Sequence, residues 1–149
     1  MLFFLLGCTN SSDTPVTIKQ TIHPNVVFIT MDTTRKDRLG TYGYTDAKSD
    51  RIDAFAAKGY RFEHAYSSIP LTTPSHASML TGLYPPHHGI RNNGDAILPD
   101  AIQTLPETLK ENGFQTAASI SAFVTTRIWN LDQGFDAYFD EIDQQKGGR

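Results

Sequence analysis

Six residues constrain this chain more than any others. Val26-Val-Phe-Ile-Thr-Met31 is an almost unbroken β-branched and apolar run, and it stops abruptly at Asp32-Thr-Thr-Arg-Lys-Asp-Arg. A strand with apolar residues on both faces belongs in a parallel sheet covered by helices on both sides. Polar groups directly after such a strand stand where open α/β sheets bind ligands. The remaining pattern agrees. Ser49 is placed to cap a helix through Lys58, with Ile52, Phe55 and Ala56 on one face and Gly59 as a left-handed stop. Tyr60 to Tyr66 alternates like a strand, and a helix with an early proline runs from about Pro74 to Leu80. Leu83 to Ile90 reads as loop. Thr104-Leu-Pro-Glu107 is a capping box whose helix ends at Gly113, and Phe114 to Ile120 reads as a further strand. Alternating strands and helices predict an α/β protein with a mainly parallel sheet.

The chain of 149 residues is long enough for one domain with its own core. A formal charge of −3 leaves no basic surface for nucleic acid. Three segments are expected: residues 1–8, a polar tether at 9–23, and one catalytic-type domain over 24–149. The first reads Met1-Leu-Phe-Phe-Leu-Leu-Gly-Cys8. It is too short to span a bilayer and lacks a basic start. An apolar run closed by a small residue before Cys resembles the bacterial lipobox. That resemblance implies a lipidated Cys8 and a lipoprotein of the cell envelope, in the periplasm or at the outer membrane. The alternative is an apolar N-terminus with a free thiol. Cys8 is the single cysteine, so no intrachain disulfide forms.

The chemistry is concentrated in Thr72-Thr-Pro-Ser-His-Ala-Ser-Met-Leu-Thr-Gly82. A hydroxyl just before a helix-opening proline lies near unpaired N–H groups and the positive end of the helix dipole. A tetrahedral oxyanion ester suits that position. A threonine hydroxyl is a poor nucleophile unless a metal or base activates it, and Asp32 offers one hard metal ligand. Taken alone, Thr72 is more often a helix cap, while Asp32 reads equally well as a turn former and His76 as a surface histidine. His87 and His88, after two prolines, read as loop polar groups.

The ordered set of motifs resembles the sulfatase family of the alkaline-phosphatase superfamily. Thr72 to Gly82 is similar to the sulfatase signature at Pro74, Ser75, Thr81 and Gly82. Asn25 to Asp32 resembles the family's first strand and metal-binding aspartate. Residues 50–62, 104–116 and Gly134-Phe-Asp136 follow in the family's order. The resemblance implies an alkaline-phosphatase-like three-layer α/β sandwich, of which this chain is the N-terminal part. It also implies a divalent metal ion, calcium if the protein is sulfatase-like and zinc if it is phosphodiesterase-like.

Several positions depart from the sulfatase pattern. Thr72 replaces the Cys or Ser that is oxidised to formylglycine, and a threonine cannot give that aldehyde. His76 replaces an arginine, and Thr33 replaces a second aspartate. Ser121 and Phe123 fall where a lysine and a histidine contact sulfate. The same segment also resembles ectonucleotide pyrophosphatase/phosphodiesterases. In that family a threonine attacks phosphorus, and an asparagine 21 residues later stabilises the charge; here that residue is Asn93.

The resemblance implies an enzyme that hydrolyses, or transfers, sulfate or phosphate esters of a small molecule, glycan or lipid. Thr72 is its nucleophile, Asp32 and Thr72 are metal ligands, Asn93 is an oxyanion donor, and His76 orients the nucleophile or the ester. The alternatives are a phosphodiesterase or phosphomonoesterase of the same superfamily, and an inactive lipid-anchored binding or remnant domain. The other metal ligands of the superfamily lie further along the chain, so residues 1–149 alone are expected to be a fragment with weak metal binding and little turnover.

Overall fold

The computed structural model describes residues 24–142. The lipobox-like segment and the tether at 9–23 lie outside the described residues. The chain divides into two units, Met1–Met31 and Asp32–Arg149.

In the first unit, residues 24–31 carry no regular secondary structure. The expectation of a strand buried on both faces is not met. Val26, Val27, Phe28, Ile29 and Met31 are between 48% and 80% exposed. Apolar, β-branched composition makes a strand only when neighbours pair with it and cover its faces. The two strands of the described sheet both lie in the second unit.

The second unit opens with two single-turn 3-10 helices, Lys36–Arg38 and Gly40–Tyr42. Helix α1 spans Asp50–Ala56. Ser49 occupies its N-cap position but does not cap it. The Ser49 hydroxyl accepts from Gly40 N (2.9 Å) and donates to Asp53 Oδ2 (2.9 Å), tying α1 to the preceding turn. The helix ends at Ala57 in right-handed geometry, and Gly59 does not take the left-handed conformation expected of it. Phe55, on the face read as apolar, is 80% exposed.

Tyr60 to Tyr66 is irregular and exposed, not a strand. Its carbonyls are used by side chains: Tyr42 Oη donates to Phe62 O (3.0 Å) and Lys36 Nζ to Glu63 O (2.8 Å).

Helix α2 spans Thr72–Thr81 and ends on left-handed Gly82. The segment read as loop at 83–90 contains a one-turn helix, α3, at Pro85–His88. Its two prolines lie in the first turn, where the missing N–H costs nothing.

Helix α4 spans Leu105–Glu111 and begins with the expected capping box. Thr104 N donates to Glu107 Oε2 (2.7 Å), and Glu107 N donates to Thr104 Oγ1 (3.4 Å). Gly113 follows in left-handed geometry.

Strand β1 is Ala117–Ser119, inside the stretch expected, and β2 is Ala137–Phe139. They pair in parallel, Ala117 opposite Ala137. Parallel neighbours need a crossover; here it carries two 3-10 turns, Phe123–Thr125 and Arg127–Trp129. Arg127 clips it to the end of β2 through a forked pair with Asp140 (Nη2 to Oδ1, 2.7 Å). The hydrogen-bonded guanidinium holds the Asp140 carboxyl down to about 2.

The core is small. Ala77 of α2, Ile90, Leu98 and Leu131 are fully buried, with Leu80, Ala96, Ile102 and Trp129 packed against them. This core sits beneath α2 and therefore fixes the helix whose first turn carries Thr72.

Candidate active site

Helix α2 starts at Thr72, with Leu71 as an extended N-cap residue that supplies no side-chain cap. The cap comes from elsewhere in the chain. Asn93 Oδ1 accepts from Thr73 N at 2.9 Å. Pro74 has no N–H, and Ser75 N already donates to Leu71 O (3.1 Å). The first turn thus offers fewer open donors to an anion than the sequence suggests, and its contribution is mainly the positive end of the helix dipole.

Thr72 and Asp32 are in contact. Thr72 Oγ1 donates to Asp32 Oδ2 at 3.2 Å. The other carboxylate oxygen, Oδ1, accepts from Thr33 N at 2.9 Å, with Thr33 itself at φ 56°. Asp32 is exposed and Thr72 half-buried, so the pair faces open space.

Asn93 stands on the same helix end. An N–H must face an acceptor, so the bond from Thr73 N identifies Oδ1 and directs Nδ2 elsewhere. The following residue, Gly94, turns the chain at φ 74° over Trp129; an added Cβ would stand 3.3 Å from that ring.

His76 is close to Thr72 but touches its backbone. Nδ1 lies 2.8 Å from Thr72 O. A carbonyl only accepts, so Nδ1 carries a proton. Through this bond His76 braces the first turn of α2.

Two further residues hold the site without any signal in the motifs. Thr73 is fully buried, and its Oγ1 donates to Val124 O at 2.8 Å. This bond seats the segment containing Ser121 and Phe123 against α2. Phe123 packs edge-on against Trp129, with centroids 6.2 Å apart, so that position carries an aromatic contact in place of a cation. His88, read from sequence as a loop polar group, is fully buried, and burial pushes its pKa down.

A metal ion would find two hard oxygen donors here, the Asp32 carboxylate and the Thr72 hydroxyl. Among the described residues no three His, Cys, Asp or Glu side chains gather at one point. The donor chemistry fits a hard divalent cation but supplies only part of the roughly six oxygens calcium takes, or the four ligands of zinc.

A hydroxyl, a carboxylate and a side-chain amide thus gather at one helix N-terminus of an α/β protein. The family model described as Sulfatase matches residues 24–146, and the chain belongs to that family. It is 36% identical over 115 residues to an ulvan-active sulfatase of Formosa agariphila, covering 77% of this chain and 22% of that protein. It is 35% identical over 130 residues to human N-acetylgalactosamine-6-sulfatase, covering 78% and 25%. The chain thus spans about a quarter or less of the length of these relatives.

Among solved structures, one of a protein in complex with its substrate D-glucosamine-2-N,6-O-disulfate aligns with a TM-score of 0.67 at 30% identity, covering 77% of this chain and 22% of that one. The phosphonate monoester hydrolase of Agrobacterium radiobacter shares the fold, with a TM-score of 0.69 at 24% identity, covering 83% and 27%. The fold is the alkaline-phosphatase-like α/β fold, and the β1–β2 pair is the part of its parallel sheet that the described residues contain.

Proposed function

We propose that the intact protein hydrolyses phosphate esters, diesters or monoesters, with Thr72 as the nucleophile. The observation that carries this reading is the Thr72 Oγ1 to Asp32 Oδ2 hydrogen bond at 3.2 Å, at the start of α2 and beside the Asn93 amide. With its proton turned toward Asp32, the Thr72 oxygen keeps a lone pair for an incoming phosphorus. Attack forms the Oγ1–P bond and breaks the P–O bond to the leaving group, and the hydroxyl proton departs through Asp32. Water then cleaves the threonine phosphate and restores the hydroxyl. Asn93 Nδ2 donates to a non-bridging oxygen as charge builds. A divalent cation held by Asp32 and Thr72 would supply the positive charge that stabilises an alkoxide at physiological pH.

Family membership supports a second reading, hydrolysis of sulfate esters, because the relatives at 35% and 36% identity are named sulfatases. Against it stands Thr72, which lacks the oxidisable Cys or Ser of the sulfatase route. The two readings separate in a parallel assay of nitrophenyl sulfate, nitrophenyl phosphate and bis-nitrophenyl phosphate with calcium, zinc and manganese. Phosphoester release is expected to dominate. Efficient sulfate release with negligible phosphate release would establish the second reading and remove the first.

A lipid anchor at Cys8 belongs to the same proposal. The protein then partitions with membranes, and Cys8→Ala releases it to the soluble fraction. One acyl chain is marginal for stable binding, so a second acyl group is needed. Unchanged partitioning of the variant would remove the anchor.

A further inference from the structure

His88 is a fully buried titratable group that the hydrolytic scheme above does not use. Its ring is bonded on both edges. Nδ1 accepts from Ile90 N at 3.2 Å, and Nε2 lies 3.0 Å from Ser78 Oγ on α2. An accepting nitrogen carries no proton, so in the neutral ring Nε2 carries it and donates to Ser78. That tautomer excludes a second nucleophile here, since Nε2 has no lone pair with which to activate the serine. The ring is a clamp between α2 and the segment that leaves α3.

The same segment meets α2 a second time, through Asn93 Oδ1 and Thr73 N. His88 pairs with Ser78 and Asn93 with Thr73, so residues 88–93 run antiparallel to the helix. Five helical residues rise about 7.5 Å, whereas five extended residues reach up to about 18 Å. Chain length alone therefore leaves Asn93 considerable slack. Two contacts remove it at the near end: the His88 ring on Ile90 N, and the buried Ile90 side chain in the core cluster with Ala77 of α2.

We propose that His88 is a positioning residue for the hydrolytic site: its ring clamps Ile90–Asn93 onto α2 and so sets where the Asn93 amide stands against Thr72. This rests on the phosphoesterase reading. The effect travels through Asn93 and not through contact with substrate.

The test is steady-state kinetics of the intact protein in a double-mutant cycle. His88→Ala is expected to lower kcat about 10- to 100-fold, the usual cost of losing a group that orients a reacting one. In an Asn93→Ala background the same substitution should cost almost nothing further, because its target is gone. His88→Asn keeps an acceptor near the Nδ1 position for Ile90 N and should recover most of the lost rate. Independent, multiplying losses, or a His88→Asn variant no better than His88→Ala, would overturn the proposal. Should His88→Ala not fold, Ser78→Ala removes the helix side of the clamp and is read by the same cycle, with Ser68→Ala as the control for the Ser68 Oγ bond that Ser78 also accepts. If the wild type hydrolyses none of the esters, the phosphoesterase reading fails by itself. The clamp is then judged by the side-chain amide resonance of Asn93, which should shift in His88→Ala and return in His88→Asn. An Asn93 resonance unmoved in His88→Ala would overturn it.

Discussion

Thr72→Ala abolishes ester hydrolysis, while Thr72→Ser retains it within about tenfold. Deleting a covalent nucleophile typically costs on the order of 10⁴ to 10⁶ in kcat. The structure makes this a clean substitution. Thr72 is half-buried in the first turn of α2, and its hydroxyl is bonded to Asp32. Neither core packing nor the helix cap depends on it, since the cap is supplied by Asn93 on Thr73 N. Alanine is also the better helix former. Thermal melting of the two variants should match the wild type, so that lost activity reports chemistry. Serine keeps the oxygen at the same position and loses only a methyl group. Hydrolysis by Thr72→Ala at anything near the wild-type rate would remove Thr72 as nucleophile, and the metal-ligand role assigned to it would go as well.

The features legible in the sequence are those settled by local chemistry. The capping box at Thr104 and Glu107, the helix end at Gly113 and the proline-led start of α2 depend on neighbours within a few residues, and all three appear, whereas the Ser49 cap and the left-handed stop at Gly59 do not. The 117–119 strand is legible too, as part of the 114–120 stretch that follows the turn at Asn112-Gly113.

Val26–Met31 and Tyr60–Tyr66 are different. Their composition favours strands, but strand formation rests on pairing and cover from distant parts of the chain, and neither segment forms a strand. Helix α3 was hidden because two prolines and two histidines read as loop, although prolines are at ease in a first helical turn.

The candidate site divides in the same way. Thr72 and Asp32 could be matched by motif, and they do meet. His76 matches too, and the i to i−4 geometry of a helix carries its ring to the Thr72 carbonyl. The burial of His88 and Thr73 had no sequence signal, because it follows from how 88–93 and 123–125 lie against α2.

Asn93→Ala is the second large effect, and it combines two losses that can be measured separately. The Nδ2 donor is lost to the developing charge on the ester; removal of one such donor costs about 10² to 10³ in kcat. The Oδ1 acceptor is lost to Thr73 N, which uncaps α2 at a cost of about 1 kcal/mol in stability. Asn93→Asp separates them. The carboxylate still accepts from Thr73 N, and its charge suits the positive helix end, so stability is retained or raised. The donor is gone, however, and a negative group now faces an anionic ester. The expected pattern is therefore an Asp variant at least as stable as the wild type but no more active than the Ala variant. Kinetics and denaturant titration on the same preparations check it. Near-wild-type turnover in Asn93→Asp would mean that Asn93 serves α2 as a cap alone, and the oxyanion donor would have to be sought elsewhere in the intact protein.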